Sequence, residues 1–509
     1  MRALISVSDK SGVVEFSKEL KSMGWTLIAT GGTLKTLRNA GLEVMDIQDV
    51  TGFPEICDGR VKTLHPKVHG GLLARRDLKD HMQQISDNDI TPIDLVCVNL
   101  YPFEATIAKE NATLEDAVEN IDIGGPSMLR SAAKNFKDVT VICEPSDYKM
   151  VIDEIKKNGN TTLETRLKLS AKAYTHTAIY DSHIAEYMRR VAGLPEKLFL
   201  NFDAVQTLRY GENPHQSAAF YRNQSEVPYS VAYAKQLGGK ELSYNNIQDA
   251  NAALSIVREF YQPFCVALKH MNPCGAGIGK DLSEAWDRAY EADKVSIYGG
   301  IVAMNRPLTG EVALKMKPIF LEIVMAPSFE PDALEILASK KNLRLLEVKM
   351  DDGKSPCKSY TGINGGLLVQ DADLECLGLT EGMCVTKRKP TEKELEDLNF
   401  AWKIVKHVKS NAIVVAKDGA TAGVGAGQMN RVGSAEIALK EAHALGLNQN
   451  LVMASDGFLP FGDTVELASQ YGVTAIVQPG GSIRDEDSIR VADEKGIAML
   501  FTGMRHFKH

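Results

Sequence analysis

Residues 1–33 read MRALISVSDKSGVVEFSKELKSMGWTLIATGGT. Ala3 to Val7 has the make-up of a buried strand and Ser8 to Ser11 that of a loop. Val13, Phe16, Leu20 and Met23 then recur at helical spacing before a second strand, Trp25 to Ala29. Strand, helix and strand in this order form a βαβ unit, which sets neighbouring strands parallel. Further buried strands are predicted at Ile93 to Leu100 and Val139 to Cys143. The first part of the chain therefore reads as an α/β domain, a parallel sheet covered by helices on both faces. In such sheets ligands bind beyond the carboxyl ends of the strands. A helix is predicted from Leu163 to about Val191, and Gly193, Leu194 and Pro195 then break it, which places a domain boundary at 195.

The remainder reads as an internal duplication. Phe264 to Lys269 (FCVALK) is echoed by Ile413 to Lys417 (IVVAK), and a glycine-rich loop at Gly275 to Gly277 by Gly425 to Gly427. Gly300 to Met304 is echoed by Leu451 to Ser455, Ile323 to Pro327 by Ala475 to Pro479, and Leu343 to Leu346 by Ile497 to Leu500. Matches in one order predict two related α/β subdomains, 196–365 and 366–509, with a site between repeats a natural expectation. Thr391 and Glu394 make a capping box ahead of a helix through Phe400, Ile404 and Val405.

At 509 residues the chain is long enough for roughly three packing units. Its net charge of -8 argues against a broad nucleic-acid surface while leaving room for a local basic pocket that takes a small anion. The apolar run at the N-terminus is too short for a signal peptide, and no stretch approaches the roughly 20 apolar residues that span a bilayer, so a cytoplasmic location without membrane contact is expected. The eight cysteines contain no Cys-x-x-Cys pair, which suggests neither a disulfide framework nor a zinc ribbon.

Two groups of residues carry chemistry. In the first domain, Ser8 and Lys10 follow one strand and Thr30, Gly31, Gly32 and Thr33 the next. Hydroxyls, glycine amides, a helix N-terminus and a lysine suit a phosphate monoester, although each turn alone is also ordinary capping. Arg60, Lys62 and Thr63 form a dense donor segment that could equally be a solvated basic loop. Tyr101 ends the strand IDLVCVNLYPF. Asp122 precedes a helix start at Gly124, and Lys134 follows on that helix; the two either face one pocket or merely cap and solvate the helix. With no evident nucleophile or metal set, the group suits orientation of a nucleotide and proton shuttling in a ring closure.

The second group is Lys269 and His270, in the run LKHMNPCGAG between an apolar strand and the glycines. A lysine beside apolar residues and a neutral imidazole could deprotonate a weak amine and assist an acyl transfer; a strand-end pair with one member in solvent is the plainer reading. The glycine loop, where amides can approach a ligand, favours the former. Arg209, Tyr210 and His215 cluster in LRYGENPHQ, where Arg209 could clamp phosphate.

The strings SVSDK, TGG, GRVKTLHPKVHGG, NLYPF, IDIGGP, LRYGENPHQ, LKHMNPCGAG, SNAIVVAK, GAGQMNR and SDGFLPF follow in order over essentially the whole chain. In this it resembles the bifunctional purine-synthesis family that joins AICAR transformylase to IMP cyclohydrolase. The resemblance implies a methylglyoxal-synthase-like cyclohydrolase domain and a transformylase of two cytidine-deaminase-like subdomains. It also implies a homodimer with transformylase sites across the subunit interface. The substrates it implies are AICAR, FAICAR and IMP, with 10-formyltetrahydrofolate as cosubstrate and no catalytic metal. Lys269 and His270 match its transformylase pair: His270 would help take a proton from the AICAR amine, and Lys269 would assist the intermediate or protonate N10 of the departing folate. Lys62, Tyr101, Asp122 and Lys134 match its cyclohydrolase residues, with Ser8, Lys10, Thr30 to Thr33, Arg60, Thr63 and Gly124 around the nucleotide. Arg209, Tyr210, His215, Asn411, Arg431, Phe458, Phe461 and His509 match substrate and folate contacts. Glu322 joins them at a position where some members are expected to carry aspartate.

Two other functions compete. A zinc nucleoside deaminase needs a second thiol where Cys274 stands alone. A nucleotide-sensing module would need phosphate capture without Lys62, Tyr101, Asp122 and Lys134.

Overall fold

The N-terminal apolar run forms β1 (Arg2–Val7), in which Ala3, Leu4 and Ile5 are wholly inaccessible. The predicted stripe becomes the helix Val13–Ser22, burying Val13, Phe16 and Leu20, with Met23 as its C-cap. Next come β2 (Thr26–Ala29), the helix Gly31–Asn39 and β3 (Met45–Asp46), followed further along by β4 (Leu95–Asn99) and β5 (Thr140–Ile142). The computed structural model describes residues 1–351 and 357–509.

These five strands are all parallel, in the order β3-β2-β1-β4-β5. The chain leaves β1 to one side for β2 and crosses to the other for β4, so the carboxyl ends of β1 and β4 flank the point where the winding reverses. The helix Leu163–Val191 ends as expected: Gly193 turns into the left-handed region (φ 63°) and the Leu194 amide returns to the Arg189 carbonyl. This unit comprises Met1–Asn201.

The second unit, Phe202–His509, opens with the hairpin β6 (Asp203–Leu208) and β7 (Ala218–Arg222) and contains a second one, β14 (Lys358–Ile363) and β15 (Gly366–Asp371). Its core is a mixed sheet. The first repeat supplies β9 (Phe264–Lys269), β10 (Asn272–Ile278), β11 (Gly300–Met304), β12 (Leu321–Ala326) and β13 (Arg344–Glu347). The second supplies β16 (Ile413–Lys417), β17 (Ala420–Gly425), β18 (Leu451–Ser455), β19 (Val473–Gln478) and β20 (Ala498–Phe501). With β8 (Lys235–Gly238) at one edge, the described strands run β20-β19-β18-β16-β17-β10-β9-β11-β12-β13-β8. Outward from the central pair β17 and β10, the two repeats follow the same order.

The echo holds with one correction. Gly275 to Gly277 is not a loop but lies within β10, and its partner is Gly423 to Gly425 in β17, two residues earlier than the spacing suggested. Gly277 pairs with Cys265 and Gly425 with Ile413, both near the start of their neighbouring strands. These glycines admit a helix, not a ligand. A β-carbon on Gly275 would stand 2.1 Å from the Ala289 carbonyl oxygen, and one on Gly423 2.0 Å from that of Ala438.

On one face of the sheet, the helices Tyr244–Val257 and Glu392–Val405 share a continuous core that includes Leu254, Ile256, Leu398 and Trp402. On the other, each repeat has a core of its own. Both shared helices start with a capping box, Ser243 with Asn246 and Thr391 with Glu394; only the second is legible as a Ser/Thr-x-x-Glu pattern.

Candidate active sites

In the first unit a cavity of about 570 Å³ opens where β1, β2 and β4 end. Ser8, Lys10, Thr30 to Thr33, Arg60, Lys62, Thr63, Tyr101, Asp122 and Gly124 all line it. The Thr30-Gly31 junction caps the helix Gly31–Asn39, which carries no acidic residue in its first turn. Two ammonium groups converge on that positive helix end: a β-carbon on Gly31 would lie 3.3 Å from Lys62 Nζ, and one on Gly32 3.7 Å from Lys10 Nζ. Cations at a helix N-terminus are unfavourable unless an anion joins them, so the arrangement suits a phosphate. Lys62 is held meanwhile by Glu55 at 2.7 Å.

Opposite the lysines, Asp122 Oδ1 accepts the Gly125 amide at 2.8 Å, and the Asp122 amide donates to the Tyr180 hydroxyl at 2.8 Å. Burial raises the Asp122 carboxyl above its ordinary range despite the Gly125 bond, as suits a group that exchanges protons. Tyr101, two residues beyond β4, is half exposed at the cavity mouth.

In the second unit Lys269 ends β9, and His270 and Met271 alone turn the chain into β10. Both have positive φ, 52° and 62°. The Lys269 ammonium donates to the Tyr298 carbonyl at 2.8 Å, and the Met271 amide to Asp249 Oδ1 at 2.7 Å. A second cluster surrounds Asp456, fully buried at the end of β18, which accepts Arg431 and the Ser410 hydroxyl in short bonds and the Ala412 amide at 3.1 Å. Arg431 also donates to Asn411 Oδ1 at 2.7 Å. The Lys409 amide donates to Asn272 Oδ1 at 3.0 Å, tying this cluster to the Lys269 hairpin across the repeat boundary. The His506 amide donates to the Asp456 carbonyl, which brings the C-terminal tail and His509 to the same end of the sheet.

Residues 132–441 match the family model described as AICARFT/IMPCHase bienzyme, and residues 12–127 match an MGS-like domain. Over 510 aligned residues the chain is 59% identical to the bifunctional purine biosynthesis protein PurH of Bacillus cereus (strain 03BB102), with 100% of this chain and 99% of that protein covered. The PurH proteins of Bacillus cytotoxicus and Bacillus anthracis (strain CDC 684) match at 60% and 59% with the same coverage. The chain belongs to the AICARFT/IMPCHase bienzyme family. It is an enzyme of purine biosynthesis with two activities, AICAR transformylase and IMP cyclohydrolase, and its formyl transfer takes a folate cosubstrate.

The other residues that the family resemblance implies for the bienzyme have varied surroundings. Lys134 is exposed in the last turn of the helix Gly124–Lys134, about 15 Å along the axis from Gly124, and does not line the cavity. Glu322 on β12 is paired with Arg344 at 2.6 Å. Phe458 and Phe461 are exposed beyond β18, with Arg484 stacked on Phe461. Arg209 lies over the Tyr210 ring just past β6, in the same exposed stretch as His215, and that stretch is tied to the helix Tyr244–Val257 through Asn245 and the Glu212 carbonyl.

Asn99, which opens the NLYPF string, is a further residue of this site. Its side-chain oxygen accepts the Ser8 and Asp9 amides at 2.5 and 2.9 Å, and its amide donates to the Asp9 carbonyl, so it holds the first phosphate loop. Its one legible signal is a polar residue ending an otherwise apolar strand.

As for metals, Cys274 of the bienzyme donates to the Ala267 carbonyl, and burial pushes its thiol up to about 12. Among the described residues the one group of three or more His, Cys, Asp or Glu whose ligand atoms all lie within 4.8 Å of one another is Cys143, Glu144 and His176. Glu144 is already paired with Lys172 at 2.7 Å, and burial raises the Cys143 thiol to about 12, both of which oppose a cation there.

Proposed function

We propose that the bienzyme closes FAICAR to IMP in the first unit's cavity and forms FAICAR at the Lys269-His270 hairpin from AICAR and 10-formyltetrahydrofolate. The observation that carries this reading is the pair of ammonium groups, Lys10 and Lys62, over the amide-rich start of the helix Gly31–Asn39. A nucleotide monophosphate anchored there would lie with its base toward Tyr101 and Asp122. In ring closure the carboxamide nitrogen attacks the formyl carbon as one of its protons leaves to Asp122 and Lys62 protonates the formyl oxygen to a hydroxyl. That hydroxyl then departs as water with a proton from Tyr101 while the formamido N–H returns its proton to Lys62, forming the C=N bond, and Asp122 reprotonates Tyr101 through solvent. Ser8, Thr30 to Thr33, Arg60, Thr63 and Gly124 would bind the nucleotide. Lys134 joins the set on family resemblance alone.

In formyl transfer the AICAR amine attacks the formyl carbon, the bond from that carbon to N10 breaks, His270 takes the amine proton and Lys269 protonates N10. Asn411 and Arg431, in the cluster that the Lys409 to Asn272 bond joins to this hairpin, and His509 would contact the substrates. Arg209, Tyr210, His215, Glu322, Phe458 and Phe461 are the remaining proposed contacts. The reading includes a homodimer, a cytoplasmic location and no metal requirement. No helix among the described residues is long and apolar enough to cross a membrane.

The test supplies AICAR and 10-formyltetrahydrofolate and follows tetrahydrofolate and IMP, with FAICAR supplied separately to isolate closure. Chelator should leave both rates unchanged, and sedimentation should give a dimer. Stoichiometric zinc in the purified protein would overturn the metal-free reading.

A further inference from the structure

The two repeats make the same turn with different residues. Between β16 and β17 it is Asp418-Gly419, with φ of 53° and 71°; between β9 and β10 it is His270-Met271, with φ of 52° and 62°. A two-residue hairpin with both centres at positive φ matches the twist of the strands and favours Asp-Gly. A histidine and a methionine there are strained, because the β-carbon crowds the backbone.

The same clamp serves both turns. Asp397 accepts the Asp418 and Gly419 amides at 3.0 and 2.8 Å, while Asp249 accepts the Met271 amide at 2.7 Å and engages the His270 amide. Each aspartate stands six positions past the N-cap of its helix, Ser243 or Thr391. The second repeat thus has both the clamp and the residues the turn prefers. The first has only the clamp, and the residues it strains are those beside Lys269. Burial raises the Asp249 carboxyl above its ordinary range despite the Met271 bond.

We infer that Asp249 is a positioning residue for formyl transfer, holding the His270-Met271 turn in the left-handed conformation that sets His270 and Lys269 toward the substrates. This rests on the proposed role of His270 in that reaction.

The experiment measures both activities of the full chain in D249A, D249N, the double variant D249A/M271G, and H270A. D249A should lower kcat for formyl transfer about 100-fold, the order expected for a misplacement of about 1 Å, with KM for AICAR and FAICAR closure each changed by less than about threefold. D249N keeps an acceptor oxygen and should recover to within about tenfold of the parent. Met271→Gly supplies the residue the turn prefers and should raise D249A formyl transfer by at least about tenfold. D249A within about twofold of the parent overturns the inference, as does an equal loss of both activities or failure of Met271→Gly to recover any rate. If H270A itself transfers formyl groups normally, the reading of the site falls; if H270A is inactive while D249A is normal, only the inference falls.

Discussion

A β-carbon on Gly124 would stand 2.6 Å from Thr63 Oγ1, inside any contact that real side chains make. Thr63 is buried and β-branched, so it has little freedom to yield. Gly124→Ala should therefore displace the donor segment from the helix start and lower FAICAR closure about 100-fold. Formyl transfer should be unchanged. Absorbance of IMP from supplied FAICAR checks it.

Lys10 and Lys62 crowd a helix end that already favours anions. Lys10→Met should raise KM for FAICAR about tenfold, equivalent to about 1.4 kcal/mol, and weaken competition by inorganic phosphate to a similar degree. Arg60 is exposed and already paired with Glu119, so as a nucleotide contact it should count for less than Lys10, and Arg60→Ala should raise KM for FAICAR about threefold.

If the two activities occupy separate sites, Lys269→Met and His270→Ala should abolish formyl transfer, to below about 1% of the parent, and leave closure of supplied FAICAR intact. Loss of both activities in a folded variant would sink the two-site reading.

A buried ionic cluster joins the repeats: Glu259 Oε1 lies 3.0 Å from Lys406 Nζ and 3.2 Å from His407 Nε2. Burial opposes the Glu259 carboxylate, but His407 and Lys406 prevail and hold it down at about 2. Burial lowers His407 to about 4. Both folded values lie below their ordinary ones, so both contributions are present at high pH and lost on acidification. The His407 contribution fades from its ordinary 6.5 down to about 4, and that of Glu259 from 4.5 down to about 2. Melting temperature of the second unit should fall through the first window, and His407→Gln should flatten that limb. A profile unchanged by the substitution would refute the assignment.

Much of the first site was legible because its loops are local. Lys10, Thr30 and Tyr101 each follow a strand end within a few residues, and alternation of apolar strands with helical stripes places those ends on one edge of a parallel sheet. Lys134 shows the limit of that logic. It shares a helix with Gly124, but a rise of about 1.5 Å per residue carries it away from the cavity. The role of Asn99 is illegible for the opposite reason: it is remote in sequence from the Ser8 and Asp9 amides that it holds.

The sequence by itself determined four of the five strands of the first sheet, the duplication, and the position of Lys269 and His270 at a strand end, because hydrophobic period and turn residues report local burial. Tertiary structure decided the register of the repeats, the packing role of Gly275 and Gly277, and the dependence of the His270 turn on Asp249. Those follow from contacts between segments distant in the chain, whose distances no spacing along one segment encodes.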